Sequence, residues 1–333
     1  MTVSRDASAR RAARLLRWYP PSWRARYGEE FTELLIAEFA EQPRSARRAV
    51  DVARGGLVAR LAWTGLAGHR PEPAEQVRAA LATAACSTAA FLAFGIAMWA
   101  QLTIGWEWSS PPEAATRFGM VAMSAAVLLL AVLALAAVLP LAWLAVRRLA
   151  CQREERLRVP VLLAMTGALV LAAGSHHFQN AWPGTGAAPW ADQGLVPGGV
   201  AAFSWAATLS FSAYWAHPAA LAAFPAGEIA WMAASPLALA ALAAGLAGIV
   251  RRLDLSLRLL RYEAWLAGAA GVGMAVFVVG GACWVLAEGA TPGLFHAGAI
   301  DIASLAVMML ALSVARLATG RAWRSAVPPQ PPC

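Results

Sequence analysis

"GMVAMSAAVLLLAVLALAAVLPLAWLAV", residues 119–146, holds no ionisable side chain in twenty-eight consecutive positions. A helix of roughly 20 apolar residues covers the hydrocarbon core of a bilayer, so this stretch reads as a membrane span. Its surroundings repeat the pattern. Further uncharged runs lie at 79–102, 159–175, 229–250 and 264–287, and a sixth, at about 297–315, carries Asp301 within it. Pro140 and Pro236 fall inside the second and fourth runs and are expected to kink them, because proline removes a backbone hydrogen bond. Gly268, Gly271, Gly273, Gly280 and Gly281 along the fifth run would let a neighbouring helix approach closely. Gly271 and Gly273 form no dinucleotide fingerprint, since no strand precedes them.

Composition agrees with this reading. Of 333 residues 59% are hydrophobic and 14% charged, against about 45–50% and ~25% in soluble globular domains, so a soluble fold is excluded. The net charge is +8, and every one of the 27 basic residues is arginine. Cys86 and Cys283 sit in apolar runs, Cys151 in a basic loop and Cys333 at the end; no metal or disulfide spacing results, and they read as small apolar fillers. The twin arginines Arg10-Arg11 precede no apolar stretch before Glu29, so no cleaved leader is expected.

Arginine also orients the chain, because basic loops stay on the cytoplasmic side. Fourteen arginines precede the first span, five lie in 147–158, four in 251–261 and three follow the sixth span, which leaves Arg117 alone elsewhere. Both termini are therefore expected in the cytoplasm, with an even number of crossings between successive basic loops. Residues 195–218, "LVPGGVAAFSWAATLSFSAYWAHP", are apolar enough to imitate a seventh span, but a crossing there would split the basic loops. Ser204, Thr208, Ser210 and Ser212, with Trp205, Tyr214 and Trp215, suit a helix in the outer interface or a shallow re-entrant segment.

The polar front, residues 1–70, reads as three short amphipathic helices. The first spans about 7–18 and stops at Pro20-Pro21. The second begins near Ser22 and shows Trp23, Tyr27, Phe31, Leu34, Leu35 and Phe39 at helical spacing; Arg26 can pair with Glu29 and Glu30 one turn on. The third follows Pro43 and sets Ala46, Val50, Ala53, Leu57, Val58 and Leu61 against Arg44, Arg47, Arg48, Arg54 and Arg60. Its arginines suit an anionic leaflet, to which each is attracted by about 1 kcal/mol, better than nucleic acid, although DNA would use the same kind of patch. "WYPPSWRARYGEEF", residues 18–31, is then a proline-stopped corner whose aromatics pin two helices. If this module docks a partner, Trp18, Tyr19, Trp23, Arg24, Arg26, Tyr27 and Phe31 are the residues placed to do it.

Leu16, Tyr19-Pro20, Trp23-Arg24, Arg26-Tyr27-Gly28, Glu30-Phe31 and Leu34-Leu35 together resemble the "L…YP..WR.RYG.EF..LL" pattern of the helical prefix domain of bacterial permeases and PadR-linked actinobacterial membrane proteins, akin to HAAS-type signalling domains. The resemblance covers about residues 15–39. It implies a cytosolic helical module on a multi-span protein of the bacterial inner membrane, encoded near a PadR-type repressor or an ABC transporter. It implies no catalytic residue, and no Walker A sequence occurs.

The fold expected is all-α: a prefix domain over 1–70, a six-helix bundle over 71–320 with an outer interfacial helix, and a disordered proline-rich tail over 321–333. On the outer side this topology gathers His176, His177, Glu228 and Asp301, whose imidazole and carboxylate groups are ligands for transition metals. A carboxylate inside a span is costly and marks a partner or an ion path, yet no tight ligand motif occurs, and helix-end residues are ordinarily solvated. Trp99, Trp106, Trp182, Trp190, Trp231 and Trp284 fit an outer aromatic belt. The leading functional expectation is a regulatory, signalling or scaffold membrane protein without a cofactor, and without nucleic acid as partner. The alternative is a small transporter or transporter subunit using the four outer residues. Third stands a membrane enzyme, for which no nucleophile and base can be paired.

Overall fold

The computed structural model describes residues 2–41, 46–68, 72–103, 114–152, 154–181, 226–287 and 299–326. Among these every regular element is helical: α1 Thr2–Leu16, α2 Pro21–Glu41, α3 Ala46–Trp63, α4 Pro73–Thr103, α5 Ala114–Gln152, α6 Arg158–Ala181, α7 Ala226–Arg252, α8 Leu257–Ala287 and α9 Ala299–Ala326, with a single 3-10 turn at Glu155–Leu157 before α6.

Five of the long helices contain one expected run each, and the last, from Ala299, covers the sixth from that residue on. Five carry segments long and apolar enough to cross a bilayer: Pro73–Gly95, Val121–Cys151, Glu155–Ala173, Leu257–Cys283 and Leu305–Ala326. The sixth helix, α7, is 27 residues long. Helix α5 runs unbroken through Pro140, and α7 through Pro236. Their outward surface is apolar: Leu128 is 68% exposed, Leu139 64%, Leu169 65% and Leu310 65%. An apolar surface this large is foreign to a soluble monomer and is what lipid tails solvate. The protein is thus an all-α chain with several helices of membrane-spanning length.

The helices associate as pairs, α4 with α9, α5 with α8 and α6 with α7, and α4 also touches α7 and α8. Contacts fix the directions. Gly280 faces Ala122 and Gly273 faces Leu130, while Tyr262 donates to the Ala136 carbonyl further along, so α5 and α8 are antiparallel. In the same way Gly167 meets Ala238 and Leu242 while Gly245 meets Pro160 and Ala164. Near the basic end Val77, Leu81, Leu157, Val250, Leu253, Leu260 and Ala322 form one core. Further up, Phe91, Met123, Leu130, Met274, Phe277 and Met308 form another, with the Phe91 and Phe277 rings edge to face at 5.8 Å.

Glycine spacing identified close packing but misplaced its centre. Gly273 and Gly280 do face α5, whereas a methyl group added at Gly271 would meet nothing within 4 Å. Among the described glycines the closest approach is between α6 and α7, where a Cβ on Gly167 would run into the Ala238 oxygen and one on Gly245 would stand 2.5 Å from the Ala164 nitrogen. The last helix extends to Ala326, so the first six residues assigned to the tail, 321–326, are helical instead. Ala322 and Ala326 are buried there, and the apolar pattern of α9 continues through them. Residues 195–218 and 327–333 lie outside the described residues. Helices α6 and α7 nevertheless place Ala181 and Ala226 at the same end of the bundle, opposite the arginines, since the two run antiparallel.

Candidate functional site

The front module is built around the corner. Leu15 and Leu16 accept the backbone N–H groups of Trp18 and Tyr19 at 3.1 and 3.0 Å, closing α1. Helix α2 then opens on Pro21, a first-turn position at which the missing N–H costs nothing. The Arg60 guanidinium of α3 donates from Nε to the Trp18 carbonyl and from Nη2 to the Arg17 carbonyl, both at 2.6 Å, satisfying carbonyls that the end of α1 leaves bare. Tyr19 is buried and stacks on Trp23 at 4.0 Å between ring centroids, with Phe31 edge-on to both. Burial pushes the Tyr19 hydroxyl above its ordinary range. Ala12, Leu35, Phe39 and Val52 complete this core, and Arg11 lies over the Phe39 ring at 4.7 Å.

Helix α3 meets the corner through Gly55 and Gly56. A Cβ on Gly55 would lie 2.7 Å from the Tyr19 hydroxyl, and one on Gly56 2.5 Å from the Trp18 Cβ. This departs from the expected two-faced pattern of α3: Val52 and Gly56 are its buried face, while Val50, Leu57, Val58 and Leu61 are exposed together with Arg47 and Arg54, the arginines expected on the opposite side. Glycine lets backbone approach backbone more closely than branched side chains allow, and that contact sets the rotation of the helix.

The seven candidate docking residues divide into three groups. Tyr19 is core, and Trp18 packs beside Gly56. Arg24 and Arg26 are exposed. Arg26 lies 5.2 Å over the Tyr27 ring; among the described residues no ion pair joins it to Glu29 or Glu30, contrary to expectation. Trp23, Tyr27 and Phe31, joined by Glu30 and Leu34, line an open groove of about 290 Å³. Tyr27 is 40% and Leu34 53% exposed. Sequence reasoning assigned Leu34 to the buried stripe. The helix instead turns Leu35 and Phe39 inward and leaves Leu34 beside Tyr27 and Phe31. "WYPPSWRARYGEEF" is therefore a corner with an open side: Tyr19 closes the fold, and one face of Trp23, Tyr27 and Phe31 stays exposed.

At the other end of the module the arginine-bearing segments converge. Arg78 at the base of α4 donates to the Leu253 carbonyl at 3.1 Å and pairs with Asp254 at 3.0 Å. Arg252 bonds the Arg156 carbonyl, Arg261 the Ala326 carbonyl and Arg321 the Gly68 carbonyl. Arg251 lies 3.9 Å over the Trp63 ring. Segments 147–158 and 251–261, the start of α4 and the end of α9 thus share one end of the bundle, the arrangement that the parity of the basic loops requires.

The four residues read as metal ligands sit on helical backbone: His176 and His177 in the last turns of α6, Glu228 at the start of α7 and Asp301 at the start of α9. Their side chains lie outside the described residues. Among the described residues no group of three His, Cys, Asp or Glu side chains gathers. One carboxylate escaped sequence reasoning. Glu263, on the first turns of α8, is only 7% exposed, and its Oε1 has no hydrogen-bond partner. Its position one residue before the expected fifth span hid it, although Leu260 and Ala264 at helical spacing mark the same inward face.

Comparison of the chain with protein families, curated proteins and solved structures finds no match.

Proposed function

We propose that the chain is an integral protein of the bacterial cytoplasmic membrane, regulatory or scaffolding in type, whose cytosolic front module docks a protein partner in the groove of α2. The observation that carries this reading is the open face of Trp23, Tyr27, Phe31 and Leu34 beside a core closed around Tyr19. Aromatic side chains in a rigid, half-buried setting are typical anchors of protein interfaces. The apolar girdle of α4–α9 and the clustering of arginines at one end support a multi-pass protein with both termini on the cytoplasmic side. The resemblance of residues 15–39 to permease-prefix modules points to a PadR-type repressor or an ABC transporter subunit as the partner class.

The test uses the full-length protein in detergent or nanodiscs and the purified products of neighbouring genes. Substituting Tyr27→Ala together with Leu34→Ala is expected to weaken capture of the true partner about thirtyfold or more, the effect of losing a hot spot of about 2 kcal/mol, while membrane insertion is retained. Undiminished capture of that partner by the double variant, or by a protein lacking residues 1–70, would contradict the proposal.

A further inference from the structure

Among the described residues none covers the outer face of α3, and its position relative to α4 points to what does. The Thr64 carbonyl, one residue past the end of α3, accepts a 2.8 Å hydrogen bond from Thr83 Oγ1 of α4. Next to it Gly65, at φ +79, is so close to α4 that a Cβ would stand 2.7 Å from the Ala80 nitrogen. Gln76 Nε2 donates to the Gly65 carbonyl at 2.8 Å, and Arg321 to the Gly68 carbonyl at 3.1 Å. The end of α3 is thereby held against the flank of α4 at the level of residues 79–83, inside the membrane-length segment Pro73–Gly95.

At about 1.5 Å per helical residue, Thr83 stands roughly 15 Å above Pro73 along α4, while Leu57 is at most about 10 Å from Thr64 along α3. Even if α3 runs straight back toward the start of α4, Leu57, Val58 and Leu61 do not drop below the level of Pro73. On that half of α3 Val50 is 64% exposed, Leu57 51%, Val58 54% and Leu61 38%. Arg47 and Arg54 share the exposed half, with Asp51 at its edge. Apolar side chains at this depth, flanked by guanidinium groups on long stems, match the layer in which acyl chains give way to phosphates.

We propose that the outer face of α3 is an interfacial membrane helix: Leu57, Val58 and Leu61 enter the acyl boundary of the cytoplasmic leaflet, and Arg47 and Arg54 hold anionic phospholipid headgroups. Charge complementarity and continuity with the girdle of the bundle select lipid over a protein as occupant. The inference rests on the bundle spanning the membrane and is independent of partner docking at α2.

The experiment uses the full chain with its native cysteines replaced by serine and an NBD fluorophore on Leu57→Cys or, separately, Leu61→Cys. Each labelled protein is checked for monodispersity and reconstituted into vesicles of phosphatidylcholine alone or with phosphatidylglycerol. Glu29→Cys on α2 is the aqueous control. Both α3 probes are expected to be quenched by shallow nitroxide-labelled lipid and shielded from iodide. Arg47→Gln with Arg54→Gln should lessen the lipid quenching in the phosphatidylglycerol vesicles alone; at about fivefold in local affinity per guanidinium, the effect is readable. Iodide quenching at both α3 positions overturns the proposal. So does shielding from both quenchers, which would mean that a second copy or another protein covers the face.

Discussion

Replacing Gly245 by valine is expected to lower the thermal stability of the helix bundle by a large margin. The Cβ alone would stand 2.5 Å from the Ala164 nitrogen, 2.6 Å from the Pro160 carbonyl oxygen and 2.8 Å from the Ala164 Cβ. Two of these three are backbone atoms, which cannot rotate away, so α6 and α7 must separate along their length. Overpacking ordinarily costs about 1–3 kcal/mol, and more where backbone must shift; about 3 kcal/mol or more is expected here. Gly167→Val should behave alike, since its Cβ would meet the Ala238 oxygen and the Leu242 nitrogen. Gly271→Ala is the internal control. With nothing within 4 Å, it should leave the melting temperature unchanged or raise it slightly through helix propensity. Intrinsic fluorescence melting in detergent measures all three, and a Gly245→Val protein that melts with the parent would contradict the packing described.

The second large effect belongs to the front module. Tyr19→Ala removes the ring on which Trp23 stacks and against which Phe31 stands, and it empties the space beneath Gly55. Truncating a buried aromatic costs about 3–5 kcal/mol. That is a large share of the stability of any small domain, for which 5–15 kcal/mol is usual. Limited proteolysis should cut the variant within α1–α3 while α4–α9 stay protected. Tyr19→Phe, which keeps the ring, should resist like the parent. Equal resistance of Tyr19→Ala would show that the corner does not close the module.

Much of this architecture is legible in the sequence, for identifiable reasons. Long uncharged runs carry the spans, because a charge inside hydrocarbon is too costly to be scattered. Arginines mark the end of the bundle that they share, and Pro20-Pro21 carries the corner. What escaped depends on which of two plausible faces wins. In α3 both faces offer packing, and the pair Gly55-Gly56 decides it by permitting backbone contact with Trp18 and Tyr19. Periodicity alone ranks Leu57 and Leu61 above glycine. The same bias drew attention to the many glycines of α8 and away from Gly167 and Gly245, each isolated in its own helix. Leu34 escaped because a stripe at 3.6 spacing is wide enough to serve a core and a groove at once. Glu263 was missed at the margin of a span, where a charge reads as a boundary until its helical face is considered.

The central claim is that the arginine-rich ends of α4–α9 lie together on the cytoplasmic side. Ser256, exposed in the link between α7 and α8, is the position to label. In a protein whose four native cysteines are replaced, Ser256→Cys should resist a membrane-impermeant maleimide on right-side-out cells and react fully once the membrane is opened. Labelling from outside the intact membrane would place Arg251, Arg252 and every segment bonded to them on the wrong face, and would contradict the account.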